Sequence, residues 1–200
     1  MRKTISVDID GVLAQFARAF VGVVKSLYPE KNLSSDFEPN DWFYAEILNE
    51  AECKEALHAV FNVPYLWSGL EPYQDNLTAL QRFVGSNELS SAFNLYYVTA
   101  RAETPGDSAV ELTSRWLHRH FIKPYNAQVV VVKDPKDKIA VMRGLKIEAS
   151  IDDYLPTVVA CQELPGHRAY LLDRPWNRSN RPAGLRVVSS LQEYLQEVSK

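Results

Sequence analysis

The chain has 200 residues, a formal net charge of −3 and an apolar share of 46%, which is ordinary for a globular protein. Its length suits one compact domain or one core with a modest insertion, and its charge argues against a general nucleic-acid-binding protein. Early charged residues argue against a signal peptide, and no window is apolar for long enough to span a membrane. Two distant cysteines fit a reducing compartment. We therefore expect a cytoplasmic protein with no membrane partner and no stable nucleic-acid partner.

Short apolar strands alternate with amphipathic helices along the chain. This alternation predicts an α/β fold, a Rossmann-like parallel sheet with helices on both faces. A long helical stretch interrupts it, so we interpret residues 15–72 as a small helical cap inserted after the first strand of a core formed by 1–14 and 73–200. The predicted strands are 4–7, 94–98, 129–132, 147–151, 168–172 and 185–188. The predicted helices are 14–27, 42–48, 50–61, one beginning at 73, one from 105 to about 122, 138–143 and 191–198.

Three local features complete this prediction. Asp41 is the expected N-cap of the helix over 42–48, because a side-chain oxygen can accept a hydrogen bond from a free backbone amide. Gly144 is the expected C-cap of the helix over 138–143. Residues 63–70 are apolar, aromatic and followed closely by Pro72, so we expect a loop there.

Polar side chains follow the predicted strands. The carboxyl ends of parallel strands meet at one edge of a sheet, where ligands bind, so these side chains should converge. Carboxylates can hold Mg²⁺, one aspartate can attack phosphorus, and a hydroxyl and a lysine can hold phosphoryl oxygens. Taken alone, the first pair is equally consistent with a loop of two solvated acids. The set consists of Asp8 and Asp10 before Gly11, then Thr99, the three lysines Lys133, Lys136 and Lys138, and the pair Asp152 and Asp153.

The order of these motifs resembles the haloacid dehalogenase (HAD) superfamily across nearly the whole chain. Asp-Ile-Asp-Gly-Val-Leu comes first, followed by a strand with Thr99, a lysine and finally Ile-Asp-Asp. Within the superfamily the chain is most similar to the 5′(3′)-deoxyribonucleotidases, which also carry a helical cap after the first motif. The shared features are Asp-x-Asp-Gly-Val-Leu-Ala with Phe16 two residues later, the aromatic segment 66–72, Trp116-Leu117, and Asp137-Lys138.

The resemblance implies a Mg²⁺-dependent phosphomonoesterase with an aspartyl-phosphate intermediate. Asp8 resembles the nucleophile, whose carboxylate also binds the metal. Asp10 resembles the general acid and base, with its backbone carbonyl on the metal. Thr99 resembles the hydroxyl that binds phosphate.

The resemblance also assigns roles to the later motifs. Lys138 resembles the lysine of the third motif, with Lys136 as the second candidate and Lys133 as the third. Asp152 and Asp153 resemble the metal-binding acid pair, and the sequence leaves open which of them contacts the metal directly.

The second motif departs from the family pattern. Classical members have a serine directly after the threonine, where this chain has Ala100 and then Arg101. The change removes one hydroxyl near the phosphate or the sugar, and Arg101 is a candidate cationic substitute. Arg174, after the fifth predicted strand, either contacts phosphate or forms an ion pair with a nearby acid.

The cap is rich in aromatic residues, whose faces can stack on a nucleobase. Phe16 and Trp67 match the family's base pocket by position, whereas Trp42 or Phe43 matches only loosely; the alternative is that the rings form the core of a small helical layer. We expect a small-molecule phosphomonoester substrate, with a nucleoside monophosphate favoured. The alternatives are another phosphate ester, such as a sugar phosphate, and a catalytically inactive phosphate-binding protein. The sequence leaves the oligomeric state open between a monomer and a homodimer.

Overall fold

A computed structural model describes residues 2–34, 37–86, 91–122 and 127–200. In these residues six strands form one sheet in which every neighbouring pair is parallel. The strands are β1 (Lys3–Val7), β2 (Phe93–Ala100), β3 (Gln128–Val132), β4 (Ala149–Asp152), β5 (Arg168–Leu172) and β6 (Arg186–Val188). Their order is β3-β2-β1-β4-β5-β6. The predicted Rossmann-like parallel sheet is confirmed, and β1 lies at its centre.

Helices cover both faces of this sheet. They are α1 (Phe16–Leu27), α2 (Glu50–Phe61), α3 (Leu66–Gly69), α4 (Gln74–Gly85), α5 (Ala109–Arg119), α6 (Asp137–Gly144), α7 (Leu155–Gln162) and α8 (Leu191–Ser199), with short 3₁₀ turns at Pro29–Lys31 and Pro175–Asn177.

The alternation of side chains along β1 shows how the two faces are used. Ile5 and Val7 are buried in the larger apolar cluster, to which α4, α5 and α8 contribute. Between them, Ser6 points to the opposite face, where its hydroxyl donates to the sulfur of Met142 on α6 at 3.3 Å. A second apolar cluster formed with α6 and α7 covers this face. The two-residue period of a strand thus gives β1 a helical layer on each side.

The predicted helix over residues 42–48 is wrong, since this segment forms turns. Asp41 does act as a cap, because its carboxylate accepts hydrogen bonds from the amides of Phe43 at 2.8 Å and Ala45 at 2.9 Å. The backbone then enters the left-handed region at Tyr44, with φ of 58°. A left-handed residue cannot continue a right-handed helix, so the segment stops after a turn.

Three further elements differ from the sequence prediction. The expected loop over 63–70 contains the single helical turn α3, which follows Tyr65 in the left-handed region with φ of 57°. Helix α7 was not predicted; it is short and lacks a clear amphipathic period, with Pro156 in its first turn. Gly144 is the last residue of α6 and not its cap; the left-handed residue after this helix is Lys146, with φ of 52°.

Residues 66–70, which contain α3, are tied to the chain around β2 and α5. The indole Nε1 of Trp67 donates to the carbonyl of Ala102 at 2.8 Å, and that of Trp116 on α5 donates to the carbonyl of Leu70 at 2.7 Å. The division into a core and a cap with limits at 15 and 72 stays a prediction. Within the described ranges, no helix combines the length and apolarity needed to cross a bilayer.

Candidate active site

The turn after β1 places two acids at the carboxyl edge of the sheet. The amide of Asp8 donates to the carbonyl of Ile151 at 3.1 Å, which extends the pairing of β1 with β4 by one residue. Gly11 then has φ of +78°, and a Cβ built at this glycine would lie 2.0 Å from Oδ2 of Asp153. Only a glycine allows the backbone to pass so close to the second acid pair. The turn therefore brings the first and fourth motifs into contact.

A buried lysine joins two of the carboxylates. Nζ of Lys138, in the first turn of α6, lies 2.6 Å from Oδ2 of Asp8 and 2.8 Å from Oδ2 of Asp152. All three side chains are buried. Of the other candidate lysines, Lys133 is exposed, and Lys136 is exposed and pairs with Asp134 at 3.0 Å. The structure brings Lys138 to the predicted site and leaves the other two outside it.

Burial perturbs the ionisation of this group. Burial and the charge of Asp152 raise the pKa of Asp8 well above its ordinary value, although Lys138 acts in the opposite direction. Burial disfavours the ammonium of Lys138, but Asp152 and Asp8 outweigh that effect and its pKa is raised. Burial and the charge of Asp152 also raise the pKa of Asp153 to about 7. With every group ionised, the cluster would hold more negative charge than its one lysine neutralises, so its carboxyl groups resist ionisation unless a cation is near.

The donor set fits a hard divalent cation. Asp8, Asp152 and Asp153 each offer an oxygen, and these oxygens lie within 4.8 Å of one another. With all groups ionised, the three carboxylates and Lys138 carry a formal charge of −2, which a divalent ion would neutralise. Carboxylate oxygens are also the ligands that Mg²⁺ prefers.

One oxygen of the acid pair has no hydrogen-bond partner within the described ranges. Oδ2 of Asp153 accepts from Nε1 of Trp176 at 2.9 Å, whereas Oδ1 is buried and meets no donor among the described residues. Asp152 differs, because its Oδ2 faces Lys138 and its Oδ1 accepts from the amide of Tyr154 at 2.9 Å. A buried acceptor without a donor is unfavourable and fits a cation ligand. The free oxygen therefore belongs to Asp153.

Arg101 contacts the second acid of the first motif. Its Nε donates to Oδ2 of Asp10 and its Nη2 to Oδ1, both at 2.8 Å, while Nη1 donates to Oγ1 of Thr113 at 2.8 Å. Thr99, in the last part of β2, donates its hydroxyl to Oδ2 of Asp10 at 3.3 Å. Ala100 ends β2 and is half-buried. Arg101 thus contacts an acid of the site, and its guanidinium is already paired on each nitrogen.

An aromatic cavity of about 130 Å³ opens next to the acids. Asp10, Gly11, Asp153 and Trp176 form part of its wall, and the remaining wall comes from predicted cap residues that include Phe16, Trp42 and Phe43. Trp67 is not among the lining residues. Trp67 is buried behind Phe16, with 5.7 Å between the centroids of the two rings. The guanidinium of Arg101 lies 4.8 Å from the centroid of the Trp67 ring.

Sequence reasoning missed several contacts around this site. Trp176 holds Asp153, and Tyr154 packs on Trp42 with 4.6 Å between the ring centroids. The position of both aromatic residues just after strand ends was an available signal. Arg174 forms no ion pair with an acid in the part of the chain that the structure describes; its Nε donates to the carbonyl of Gly11 at 2.8 Å. The acid beside it, Asp173, pairs with Arg178 and Arg181.

The comparison with protein families agrees with this geometry. Residues 2–197 match the model of the family described as 5′ nucleotidase, deoxy (pyrimidine), cytosolic type C protein (NT5C). The chain belongs to this family. Membership of the nucleotidase family makes it a hydrolase of the HAD superfamily, as the motif order indicated. No curated protein is significantly similar to it in sequence.

Solved structures show the same fold. A haloacid dehalogenase-like hydrolase from Streptococcus pneumoniae has a TM-score of 0.62 at 12% identity, with 98% of each chain covered. A HAD-superfamily hydrolase of subfamily IA from Geobacter sulfurreducens has a TM-score of 0.59 at 15% identity, with 98% of this chain and 96% of that one covered. The HAD hydrolase YfnB from Bacillus subtilis, bound to magnesium, has a TM-score of 0.56 at 14% identity, with 100% of this chain and 99% of that one covered. At these identities the likeness to this nucleotidase-family chain concerns the fold alone.

Proposed function

We propose that this chain is a Mg²⁺-dependent phosphomonoesterase that dephosphorylates nucleoside monophosphates through an aspartyl-phosphate on Asp8. The observation that carries the proposal is the contact between the acid cluster and the aromatic cavity. Asp10 and Asp153 line the same cavity as Phe16 and Trp42. A phosphate at the acids would therefore have its ester group beside stacked rings, which suits a nucleoside.

In the proposed cycle Asp8 attacks phosphorus, and the bond between phosphorus and the ester oxygen breaks. Asp10 gives its proton to that oxygen, so the nucleoside leaves as an alcohol. Water then attacks the phosphorus of the aspartyl-phosphate, Asp10 takes a proton from the water, and phosphate and free Asp8 are released. Lys138 holds phosphoryl oxygens during both steps, whereas the hydroxyl of Thr99 donates its one hydrogen to Asp10.

Asp8, Asp153 and the backbone carbonyl of Asp10 are the proposed ligands of Mg²⁺, and Asp152 holds Lys138 beside them. When bound, the ion neutralises charge on the phosphoryl oxygens. The unpartnered Oδ1 of Asp153 supports this choice between the two acids of the fourth motif.

The name of the family supports a nucleotide as substrate and the cytoplasm as location, since it describes a deoxy (pyrimidine) 5′-nucleotidase of cytosolic type. The aromatic rings of the cavity wall support a base-containing leaving group. Stacking on an aromatic ring contributes about 1–3 kcal/mol per base, or roughly 5-fold to 150-fold in affinity.

The test is phosphate release from a panel of 5′- and 3′-monophosphates with Mg²⁺ or with EDTA. The panel contains deoxyribonucleotides, ribonucleotides and sugar phosphates. We expect release from nucleotides that EDTA abolishes. Release from sugar phosphates alone would contradict the nucleotide assignment, and no release by folded protein would contradict the phosphatase assignment.

Two pairs of variants locate the chemistry. Asp8→Asn should abolish turnover without unfolding the protein, whereas the exposed Asp75→Asn should leave turnover unchanged. Trp42→Ala should raise KM for nucleotides about 10-fold but not KM for a sugar phosphate, because only the nucleotide has a base to stack. Phe121→Ala, which alters a ring that is 84% exposed outside the cavity wall, is the aromatic control. Equal KM changes on both substrates would exclude base stacking on Trp42.

A further inference from the structure

The Arg101 pair fixes the carboxylate of Asp10 in one orientation. Two parallel hydrogen bonds of 2.8 Å join Nε and Nη2 of Arg101 to the two oxygens of Asp10. Such a bidentate pair sets the plane of the carboxylate as well as its position. The side chain of Asp10 remains 16% exposed, so it can still reach a substrate.

The hydrogen bonds also define which atom can exchange a proton. An ionised carboxylate has about four acceptor positions. Among the described residues, Arg101 and Thr99 fill both positions on Oδ2, and Arg101 fills one on Oδ1. One acceptor position is then left on Oδ1 of Asp10, in a residue that borders the cavity.

Arg101 is itself held rigidly. Its side chain is fully buried in its ion pair, and Nη1 donates to Oγ1 of Thr113. The hydroxyl of Thr113 donates its own hydrogen to the carbonyl of Ala109 at 2.6 Å, so its oxygen faces Arg101 as an acceptor. The ring of Trp67 packs on the guanidinium, and the ring of Phe16 packs on Trp67. The guanidinium is thus held by three hydrogen bonds and one aromatic ring, and it connects Asp10 to the cavity wall.

We propose that Arg101 is a positioning residue that holds Oδ1 of Asp10 at the point where the proton passes to the leaving oxygen. This inference rests on the proposed function. Three of the five N–H donors of Arg101 are engaged with Asp10 and Thr113, so its contact with the acids of the site runs through Asp10. A lysine could not replace it, because an ammonium cannot form the bidentate pair that sets the carboxylate plane.

The test compares leaving groups in the presence of Mg²⁺. A nucleoside monophosphate has an alkoxide leaving group that needs a proton, whereas p-nitrophenyl phosphate releases a stable phenolate that does not. The ratio kcat/KM covers the steps from free enzyme and substrate through the first phosphoryl transfer, so water attack on the intermediate does not disturb it. Arg101→Ala should lose about 100-fold in kcat/KM on the nucleotide, the size expected for misplacing a catalytic group, and less than about 3-fold on the aryl ester.

Asp10→Asn should show the same difference between the two esters. The double variant Arg101→Ala, Asp10→Asn should lose no more than Asp10→Asn alone, because a positioning residue has no effect once its acid is absent. Millimolar guanidinium should restore part of the nucleotide activity of Arg101→Ala by filling the vacated site. Arg115→Ala, an exposed arginine on α5, is the control and should change neither ratio.

Equal losses on both esters in folded Arg101→Ala, or a further loss in the double variant, would overturn the positioning role. If Arg101→Ala does not fold, Arg101→Lys decides the question. It keeps the charge but loses the bidentate pair, so the same selective loss on the nucleotide is expected and an unselective one refutes the positioning role. A wild-type protein that hydrolyses neither ester would refute the proposed function itself, and with it this inference.

Discussion

Gly11→Ala tests how closely the first motif approaches the fourth. At φ of +78° an L-residue is strained, and the new Cβ would lie 2.0 Å from Oδ2 and 2.2 Å from Cγ of Asp153. Two atoms cannot share that space, so either the turn or the carboxylate must move. Because Trp176 holds this carboxylate by a 2.9 Å hydrogen bond, movement breaks a buried contact.

The expected loss of stability combines the backbone strain at residue 11 with the broken hydrogen bond between Trp176 and Asp153. Left-handed backbone costs an alanine about 1–2 kcal/mol. Loss of a hydrogen bond to a charged group adds about 1.5–3 kcal/mol. We therefore expect Gly11→Ala to lower the free energy of unfolding by roughly 3–5 kcal/mol.

Two other glycines separate the contributions. Gly166 has φ of +76° but no atom within 4 Å of its built Cβ, so Gly166→Ala should show the strain alone, about 1–2 kcal/mol. Gly22 lies within α1, and its built Cβ also meets nothing. Gly22→Ala should stabilise the protein by up to about 1 kcal/mol, as alanine favours a helix.

Urea unfolding in EDTA measures these free energies without a contribution from bound cation. Calorimetric titration of Mg²⁺ then reports whether the displaced Asp153 carboxylate still binds, and we expect weaker binding in Gly11→Ala only. A Gly11→Ala variant no less stable than Gly166→Ala, with unchanged Mg²⁺ affinity, would refute the close approach.

Three more predictions concern other parts of the molecule. Asp153→Asn should weaken Mg²⁺ binding by about 10-fold or more in calorimetry, and unchanged affinity would exclude Asp153 as a ligand. Burial lowers the pKa of His167 below its usual 6.5 despite a hydrogen bond with the Ile147 carbonyl. Below pH 6.5 the unfolded chain therefore takes up a proton that the folded chain resists, so the free energy of unfolding should fall on acidification. In urea unfolding, His167→Gln should make the free energy of unfolding depend less on pH in this range. Asn49→Ala removes the capping box of α2, which it forms with Glu52, and should cost about 1 kcal/mol with kcat unchanged; an equal loss of activity would contradict a purely structural role.

Patterns within short stretches of sequence were sufficient for the sheet and its edge. The run before Asp8 predicted a buried strand, and acids after two different strands predicted their convergence. This succeeded because the carboxyl ends of parallel strands share one edge whatever the loops between them do. The same reasoning failed for 42–48, where a side-chain hydrogen bond and a left-handed residue outweighed the helical pattern. It also failed for α7, where a weak amphipathic period concealed the helical pattern.

The sequence by itself determined the order of the motifs and hence the family, because strand and helix periods and motif spacing are local properties. Only the tertiary structure decided which partner each polar group takes. It chose Lys138 over two nearby lysines, paired Arg101 with an acid 91 positions away, and placed Trp67 behind the cavity wall. It also left Oδ1 of Asp153 without a hydrogen-bond donor from any residue that the structure describes. Such pairings depend on distances across the folded chain, and no short-range pattern encodes them.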